Sequence, residues 1–109
     1  MTDKIIVLTT CGSEEEARRI ARGLVEKRLA ACVNLAAGIR SIYRWKGAIE
    51  EEGEYLLVIK SRRDLFEKLR VELEALHSYE LPEAIALAVV DGSEAYLGWL
   101  DRELVEMEE

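Results

Sequence analysis

The sequence predicts a single α+β domain, residues 1–109, in which an antiparallel β-sheet packs against helices. Apolar, β-branched runs of strand length alternate with stretches whose apolar residues recur at helical spacing. Their order is β-α-β-β-α-β with a final C-terminal helix, and half of the 109 residues are hydrophobic, enough for one core. This order is typical of the ferredoxin-like arrangement, in which two helices cover one face of the sheet. Its first and second strands run parallel, with the third strand between them.

The first strand and helix follow from strong local signals. The run Lys4 to Thr10 is rich in β-branched residues and predicts the first strand. Ser13 and Glu16 have the spacing of a capping box at a helix start. The apolar stripe of this helix consists of Ala17, Ile20, Ala21, Leu24 and Val25. Ala30 to Leu35 predicts a second strand. Residues 36–38 interrupt the strand pattern, which resumes at Ile39.

A long β2–β3 hairpin arm is the most informative prediction. Ile39 to Trp45 and Ala48 to Ser61 both suit extended chain, joined by a tight turn at Lys46 and Gly47. A strand from 48 to 61 spans roughly 45 Å, whereas a domain of this length is about 35 Å across. The arm should therefore overhang its own domain, unless Glu51 to Gly53 bends it back. The tip of the arm carries Ile42, Tyr43, Trp45 and Ile49.

The second half of the chain again alternates predicted helices with a predicted strand. Asp64, with Glu67 three residues later, predicts the N-cap of a second helix. The buried stripe of that helix consists of Leu65, Leu69, Leu73 and Leu76. His77 to Pro82 links it to Ala84 to Val90, a continuously apolar run typical of a strand covered on both faces. Ser93 predicts the cap of the last helix, whose apolar residues are Tyr96, Leu97, Leu100 and Leu104.

The charge of the chain disfavours nucleic acid as a partner. The formal net charge is -7, and no basic stripe offsets it. Acidic clusters occur at residues 14–16, 50–52 and 103–109. Such a surface keeps a protein soluble and attracts cations weakly and without selectivity. The many Glu and Arg residues, with a single proline, also suggest a thermostable protein.

Neither a secretory signal nor a membrane-spanning segment is expected from the sequence. Ile5 to Leu8 is the only apolar run near the N-terminus, and it is too short for either role. Cys11 and Cys32 form no metal-binding spacing or disulfide framework. We therefore expect a cytoplasmic protein with two free thiols.

The sequence has no recognisable catalytic constellation. His77 is the only histidine, and no nucleophile signature lies near it in sequence. Phosphate-binding loops, dinucleotide fingerprints and paired-cysteine zinc patterns are also missing. Carboxylate pairs stay open, because Asp and Glu are too frequent here to single out by spacing. The expectation is a protein that is not an enzyme.

Ordered sequence blocks along nearly the whole chain carry a family resemblance. They include Leu29-Ala30-Ala31-Cys32-Val33-Asn34, Ser41-Ile42-Tyr43-Arg44-Trp45-Lys46-Gly47, Ile59-Lys60-Ser61, His77-Ser78-Tyr79-Glu80-Leu81-Pro82-Glu83 and Tyr96-Leu97-Gly98-Trp99-Leu100. In these blocks the chain resembles the CutA family of divalent-cation tolerance proteins. The resemblance implies a ferredoxin-like fold, a homotrimer built by the hairpin arms, and a link to copper or another divalent cation.

Two departures from the family pattern concern the metal. Members with assigned copper ligands have a cysteine where this chain has Thr9, and a histidine pair where it has Leu76 and His77. His77 is therefore the one candidate metal ligand, with a cleft or packing role as its alternative. Copper favours imidazole and thiolate donors, so a single histidine from one chain makes a poor site.

A second set of candidate residues shares the arm and the segment after the second helix. These residues are Tyr43, Trp45, Lys60, Tyr79 and Glu83. In a structural role, the aromatic residues would pack between subunits and Lys60 would pair with a carboxylate. In a functional role, the same residues would line an inter-subunit cleft for a small ligand or metal complex. The second interpretation leads to an alternative function: a regulatory or scaffold trimer, comparable to PII-type signalling proteins, that binds a small ligand or a partner protein.

Overall fold

The computed structural model describes residues 1–106, which form one four-stranded sheet and three α-helices. The elements are β1 (Lys4–Cys11), α1 (Glu14–Glu26), β2 (Cys32–Trp45), β3 (Ala48–Arg62), α2 (Phe66–Leu76), β4 (Ile85–Ala88) and α3 (Glu94–Glu103). The strand order is β2-β3-β1-β4, and every neighbouring pair is antiparallel. The predicted α+β, ferredoxin-like fold is confirmed. Residues 107–109 of the acidic C-terminal cluster lie outside the described residues.

One face of the sheet and the two helices α1 and α2 enclose the core. The alternation of side chains along β1 and β3 directs every second residue to this face. On the helices, the apolar stripe recurs at helical spacing and meets the sheet side chains. The large, fully buried members on these elements include Val7, Ile20, Leu24, Leu57, Ile59, Leu69 and Leu73. The predicted stripe residue Val25 is instead exposed.

The opposite face of the sheet is apolar but only partly covered. Leu8 lies opposite Val58 on β3 and opposite Ile85 on β4, so these three side chains share the face. Leu87 occupies the same face, opposite Ile6. Ile85 is 52% exposed and Leu87 is 47% exposed, so a single subunit leaves apolar surface in contact with water.

Helix α3 closes one end of this second face through a buried arginine. The Arg62 guanidinium donates to Asp64 Oδ1 at 2.7 Å, to Asp101 Oδ1 at 3.0 Å and to the carbonyl oxygen of Val105 at 2.7 Å. Lys4 also reaches Asp101, at 3.3 Å. Because the charges are paired, these basic groups can be buried beneath α3. The N-cap of α3 is Ser93, as predicted, and its side chain accepts from the Tyr96 amide.

The hairpin arm projects from the domain as predicted. Strand β3 pairs with β1 only as far as Tyr55; from Glu54 to the turn, it pairs with β2 alone. The molecule consequently measures 44 × 25 × 23 Å. The turn uses positive φ at Lys46 and Gly47, and the irregularity predicted at residues 36–38 is a register shift within one continuous β2. Strand β3 is also continuous, so the alternative of an arm folded back is wrong.

The predicted cap of the second helix is wrong. Asp64 does not cap a helix: it lies in a short 3-10 turn, Arg63–Leu65, and accepts from Arg62 instead. Helix α2 begins at Phe66 without a side-chain cap. A competing charge partner therefore overrides the local capping preference of an aspartate.

The prediction of a strand covered on both faces at residues 84–90 is also wrong. Strand β4 has four residues, and all of them are exposed. It lies at the edge of the sheet, where it pairs only with β1 within the described residues. The continuous apolar run indicated full burial, yet a single subunit provides no layer to cover it.

Candidate functional site

A groove lies between the arm and residues 77–84, which link α2 to β4 and are called the connector here. Its volume is about 670 Å³. Glutamates and aromatic residues dominate its lining, which consists of Thr10, Ser41, Tyr43, Trp45, Glu50, Glu52, Glu54, Ser78, Tyr79, Glu80, Leu81 and Glu83. The arm overhangs the domain, so its side chains and those of the connector face each other across open space.

Tyr79 joins the connector to the arm. Its hydroxyl donates to Glu54 Oε2 at 2.5 Å, although the two residues are far apart in sequence. Glu54 is only 8% exposed. Burial, and then the hydrogen bond to Glu54, hold the pKa of Tyr79 well above its ordinary value. The hydroxyl therefore remains a donor at neutral pH and fixes one wall of the groove.

The groove carries an excess of negative charge. Tyr43 donates to Glu52 at 3.2 Å, and Lys46 lies 3.6 Å from Glu80 at the exposed rim. Glu83 has no hydrogen-bond or ion-pair partner among residues 1–106. Burial, followed by repulsion from Glu54, raises the pKa of Glu83. Five carboxylates thus line the groove, and Lys46 lies at its rim.

His77 lies behind the groove, and its side chain is completely buried. Its Nε2 atom is 2.8 Å from the carbonyl oxygen of Thr10, and its Nδ1 atom accepts from the Tyr79 amide at 3.1 Å. The two rings stack at a tilt, with centroids 4.6 Å apart. His77 therefore contacts the end of β1 and supports the connector.

Glu16 is a part of the site that the sequence pattern did not reveal. Ser13 caps α1 by accepting from the Glu16 amide at 3.1 Å, which confirms half of the capping box. The Glu16 carboxylate does not complete that box: it accepts from the Ser78 amide of the connector at 2.7 Å. Although burial opposes ionisation, the hydrogen bonds from Ser78 hold the pKa of Glu16 below its ordinary value.

The structure brings together four of the candidate residues. Tyr43, Trp45, Tyr79 and Glu83 line the groove. Lys60 does not: its ammonium group is 5.8 Å from the ring of Tyr96, on the second face of the sheet, and it pairs with no carboxylate among residues 1–106. Six residues of extended chain, roughly 20 Å, separate Lys60 from Glu54. The assignment of all five residues to a cleft between subunits stays a prediction.

The residues present do not fit a copper site within one subunit. Among residues 1–106, no group of three or more His, Cys, Asp or Glu side chains is arranged to hold a metal ion. The nitrogen atoms of His77 already have partners, and neither cysteine lines the groove. Both cysteines are free; Cys11 is buried, and burial raises its thiol pKa.

The fold and the groove define a class of protein: a ferredoxin-like subunit with a projecting hairpin and a groove lined by acidic and aromatic residues. No described helix has the length and apolar character needed to cross a bilayer. Residues 5–103 match the family model described as "CutA1 divalent ion tolerance protein". The chain belongs to this family, which is named for tolerance to divalent ions and not for an enzymatic activity.

Known relatives agree with this assignment. The chain is 50% identical over 95 residues to the divalent-cation tolerance protein CutA of Thermus thermophilus, covering 87% of this chain and 92% of the relative. A solved structure of the Thermus protein superposes with a TM-score of 0.91 at 47% identity, covering 94% and 99% of the two chains. The protein named "Protein CutA, chloroplastic" from Arabidopsis thaliana is 43% identical over 96 residues, 88% of this chain and 53% of the relative.

Proposed function

We propose that this protein forms a homotrimer that binds divalent cations, copper among them, at the acidic groove and so contributes to metal tolerance without catalysing a reaction. Membership in the divalent ion tolerance family supports the metal part of this proposal. The groove supports the location, because its carboxylates attract cations and its walls are preformed. The name of the family refers to ion tolerance and not to an enzymatic activity, which supports the non-catalytic part.

The observation that carries the proposal is the uncompensated charge between the arm and the connector. Glu54 is buried, and Glu83 is desolvated without a partner among residues 1–106. A cation placed between them relieves their repulsion and replaces lost solvation. Binding is therefore expected to weaken as the pH falls. Because the pKa of Glu83 is raised, the weakening should begin at a higher pH than for an ordinary glutamate.

Assembly is part of the proposal because a single subunit leaves much apolar surface uncovered. Ile42 and Ile49 at the arm tip are 67% and 68% exposed, and the face with Ile85 and Leu87 is also open. Patches of this kind mark protein–protein interfaces. Copies of this chain are the partner that the family resemblance implies, and three is the number it implies.

Cation binding is expected to require the assembled protein. The carboxylates of one groove are not gathered into a ligand cluster. A neighbouring copy packed against the arm would narrow the groove and exclude water, which strengthens the attraction between carboxylates and a cation. Carboxylate oxygens also suit Mg²⁺, Ca²⁺ and Mn²⁺, so we expect the groove to bind several divalent cations and not copper alone.

The second candidate function is a regulatory or scaffold trimer that binds a small ligand or a partner protein. The aromatic side chains of Tyr43, Trp45 and Tyr79 favour it, since they line the same groove. A ligand of this kind should raise the thermal unfolding temperature in the absence of metal. No stabilisation across a broad metabolite screen would count against the small-ligand form of this function.

A cytoplasmic location also belongs to the proposal. Cys11 and Cys32 are both free, which suits a reducing compartment. The plant relative is named as chloroplastic, so the family occupies more than one compartment. Thermostability, the last part, is supported by ion pairs such as those that hold Arg70 between Glu67 and Glu74.

Calorimetric titration with Mn²⁺, Zn²⁺ and Cu²⁺ tests the metal-binding function. We expect the double variant Glu54→Gln and Glu83→Gln to bind at least about tenfold more weakly than the wild type, the effect of losing roughly 1.4 kcal/mol of attraction. Glu26→Gln is the matched control, because it removes one exposed carboxylate of α1 outside the groove. Equal affinity in the double variant and the control would exclude the groove as the site.

A further inference from the structure

The hydrogen bonds of His77 determine where its proton lies. The Tyr79 amide can only donate, so Nδ1 accepts through its lone pair and carries no proton. The carbonyl oxygen of Thr10 can only accept, so Nε2 carries the proton and donates. These two backbone partners together favour the tautomer with its proton on Nε2, while the Glu16 carboxylate lies 3.6 Å from Nδ1.

This tautomer leaves no ring nitrogen free for a metal ion. A metal binds the lone pair of an imidazole nitrogen, and the lone pair of His77 Nδ1 already accepts from Tyr79. Binding at Nε2 would remove its proton and the hydrogen bond to Thr10. The side chain is also fully buried, so a metal would first have to displace the connector.

The same contacts hold the connector in place, one amide after another. The His77 amide donates to the carbonyl of Leu73 at 3.0 Å, ending α2. The Ser78 amide donates to Glu16 and the Tyr79 amide to His77. Three successive amides are thereby satisfied, and the third fixes the backbone from which the Tyr79 side chain reaches Glu54.

We propose that His77 is a positioning residue of the groove and not a metal ligand: it fastens the connector to the end of β1, so that the Tyr79 hydroxyl meets Glu54. This inference rests on the proposed function in taking the groove as the binding site. It contradicts the role that the family resemblance implied for this histidine. Its consequence is that His77 affects cation binding only through the arrangement of Tyr79.

Nitrogen-15 NMR of the imidazole tests the inference directly. At neutral pH we expect His77 to show a protonated Nε2 and an unprotonated Nδ1. Both signals should stay unchanged when Zn²⁺, a diamagnetic ion, is added to the full chain. A shift of either nitrogen to the position of a metal-bound imidazole would overturn the proposal, and so would the opposite tautomer.

Substitutions separate a positioning role from ligation. In His77→Asn, the side-chain oxygen can accept from the amide two residues on, as in an Asx-turn. In His77→Gln, the side-chain amide can donate to Thr10. His77→Ala can do neither, and we expect about tenfold weaker Zn²⁺ binding, as for other losses of supporting contacts. The proposal predicts that the asparagine or glutamine variant recovers most of this loss, whereas a ligand role predicts that both remain as weak as alanine.

Hydrogen exchange of the Tyr79 amide provides a readout that is independent of metal. Exchange should be slow in the wild type, fast in His77→Ala and slow again in His77→Asn. Equal exchange rates in all three proteins would contradict the positioning role. If the wild type binds no cation, the proposed function fails, while the tautomer and the Tyr79 exchange rate still decide the role of His77.

Discussion

The hydrogen bond between Tyr79 and Glu54 is the buried contact that joins the connector to the arm, and Tyr79→Phe removes it while keeping the aromatic ring. Its donor–acceptor distance is 2.5 Å, and the carboxylate belongs to a residue that is 8% exposed. A hydrogen bond to a charged group contributes about 1.5–3 kcal/mol. We therefore expect Tyr79→Phe to lower the free energy of unfolding by about 2 kcal/mol.

Urea denaturation followed by tryptophan fluorescence measures this free energy. Wild type and variants are compared at one protein concentration, because the stability of an oligomer depends on concentration. Tyr55→Phe is the matched control: Tyr55 lies on the same strand as Glu54 and is half-buried. Its hydroxyl has no hydrogen-bond partner among residues 1–106. We expect this control to change the free energy of unfolding by less than about 0.5 kcal/mol.

A double-mutant cycle assigns the loss to the pair. Combining Tyr79→Phe with Glu54→Gln should cost less than the sum of the single changes, with a coupling energy of about 1–2 kcal/mol. A Tyr79→Phe variant as stable as Tyr55→Phe would refute the reasoning. A coupling energy of zero would do the same, because it would place the cost outside the hydrogen bond.

Three further predictions concern stability and assembly. The pKa of Glu16 is lower in the folded protein than its ordinary value of 4.5. The ionised Glu16 side chain therefore stabilises the folded protein above pH 4.5, and this stabilisation is lost as the pH falls through the folded pKa. In denaturation measured against pH, Glu16→Gln should make the free energy of unfolding fall less steeply over this acidic range. Leu57 is fully buried, so Leu57→Ala should cost about 2–5 kcal/mol in guanidinium denaturation, and a smaller loss would contradict the described core. Leu87→Lys places a charge on the open sheet face and should shift the protein towards single subunits in size-exclusion chromatography, whereas unchanged elution would exclude this face from the interface.

Local signals in the sequence were sufficient for most of the fold. The β-branched run of β1 and the helical spacing in α1 predicted elements that the structure confirms. The length of β3, compared with the expected diameter of the domain, predicted the overhanging arm. These predictions succeeded because the periodicity of apolar residues within each single segment is enough to identify the element and its buried face.

Predictions that depended on distant partners were less successful. The capping preference of Asp64 lost to the guanidinium of Arg62, only two residues earlier, whose other partners, Asp101 and Val105, lie far along the chain. Strand β4 has the composition of a buried strand, yet it is an exposed edge. Its apolar residues become understandable only if another chain covers them.

The groove shows the same division between local and distant information. Tyr43, Trp45, Tyr79 and Glu83 were candidates because of the family blocks in which they occur. Glu54 was not a candidate, since nothing in its local sequence indicates that it meets Tyr79 across the groove. Carboxylates are so frequent in this chain that only their three-dimensional arrangement distinguishes the ones in the site.

The mass of the full chain in solution, measured with and without copper, tests the central claim most directly. One subunit has a mass of 12.4 kDa. We predict a particle of three subunits at micromolar concentration in both conditions, with copper bound only by that particle. A single-subunit mass at this concentration, with Tyr43 and Trp45 protected from solvent, would contradict the account.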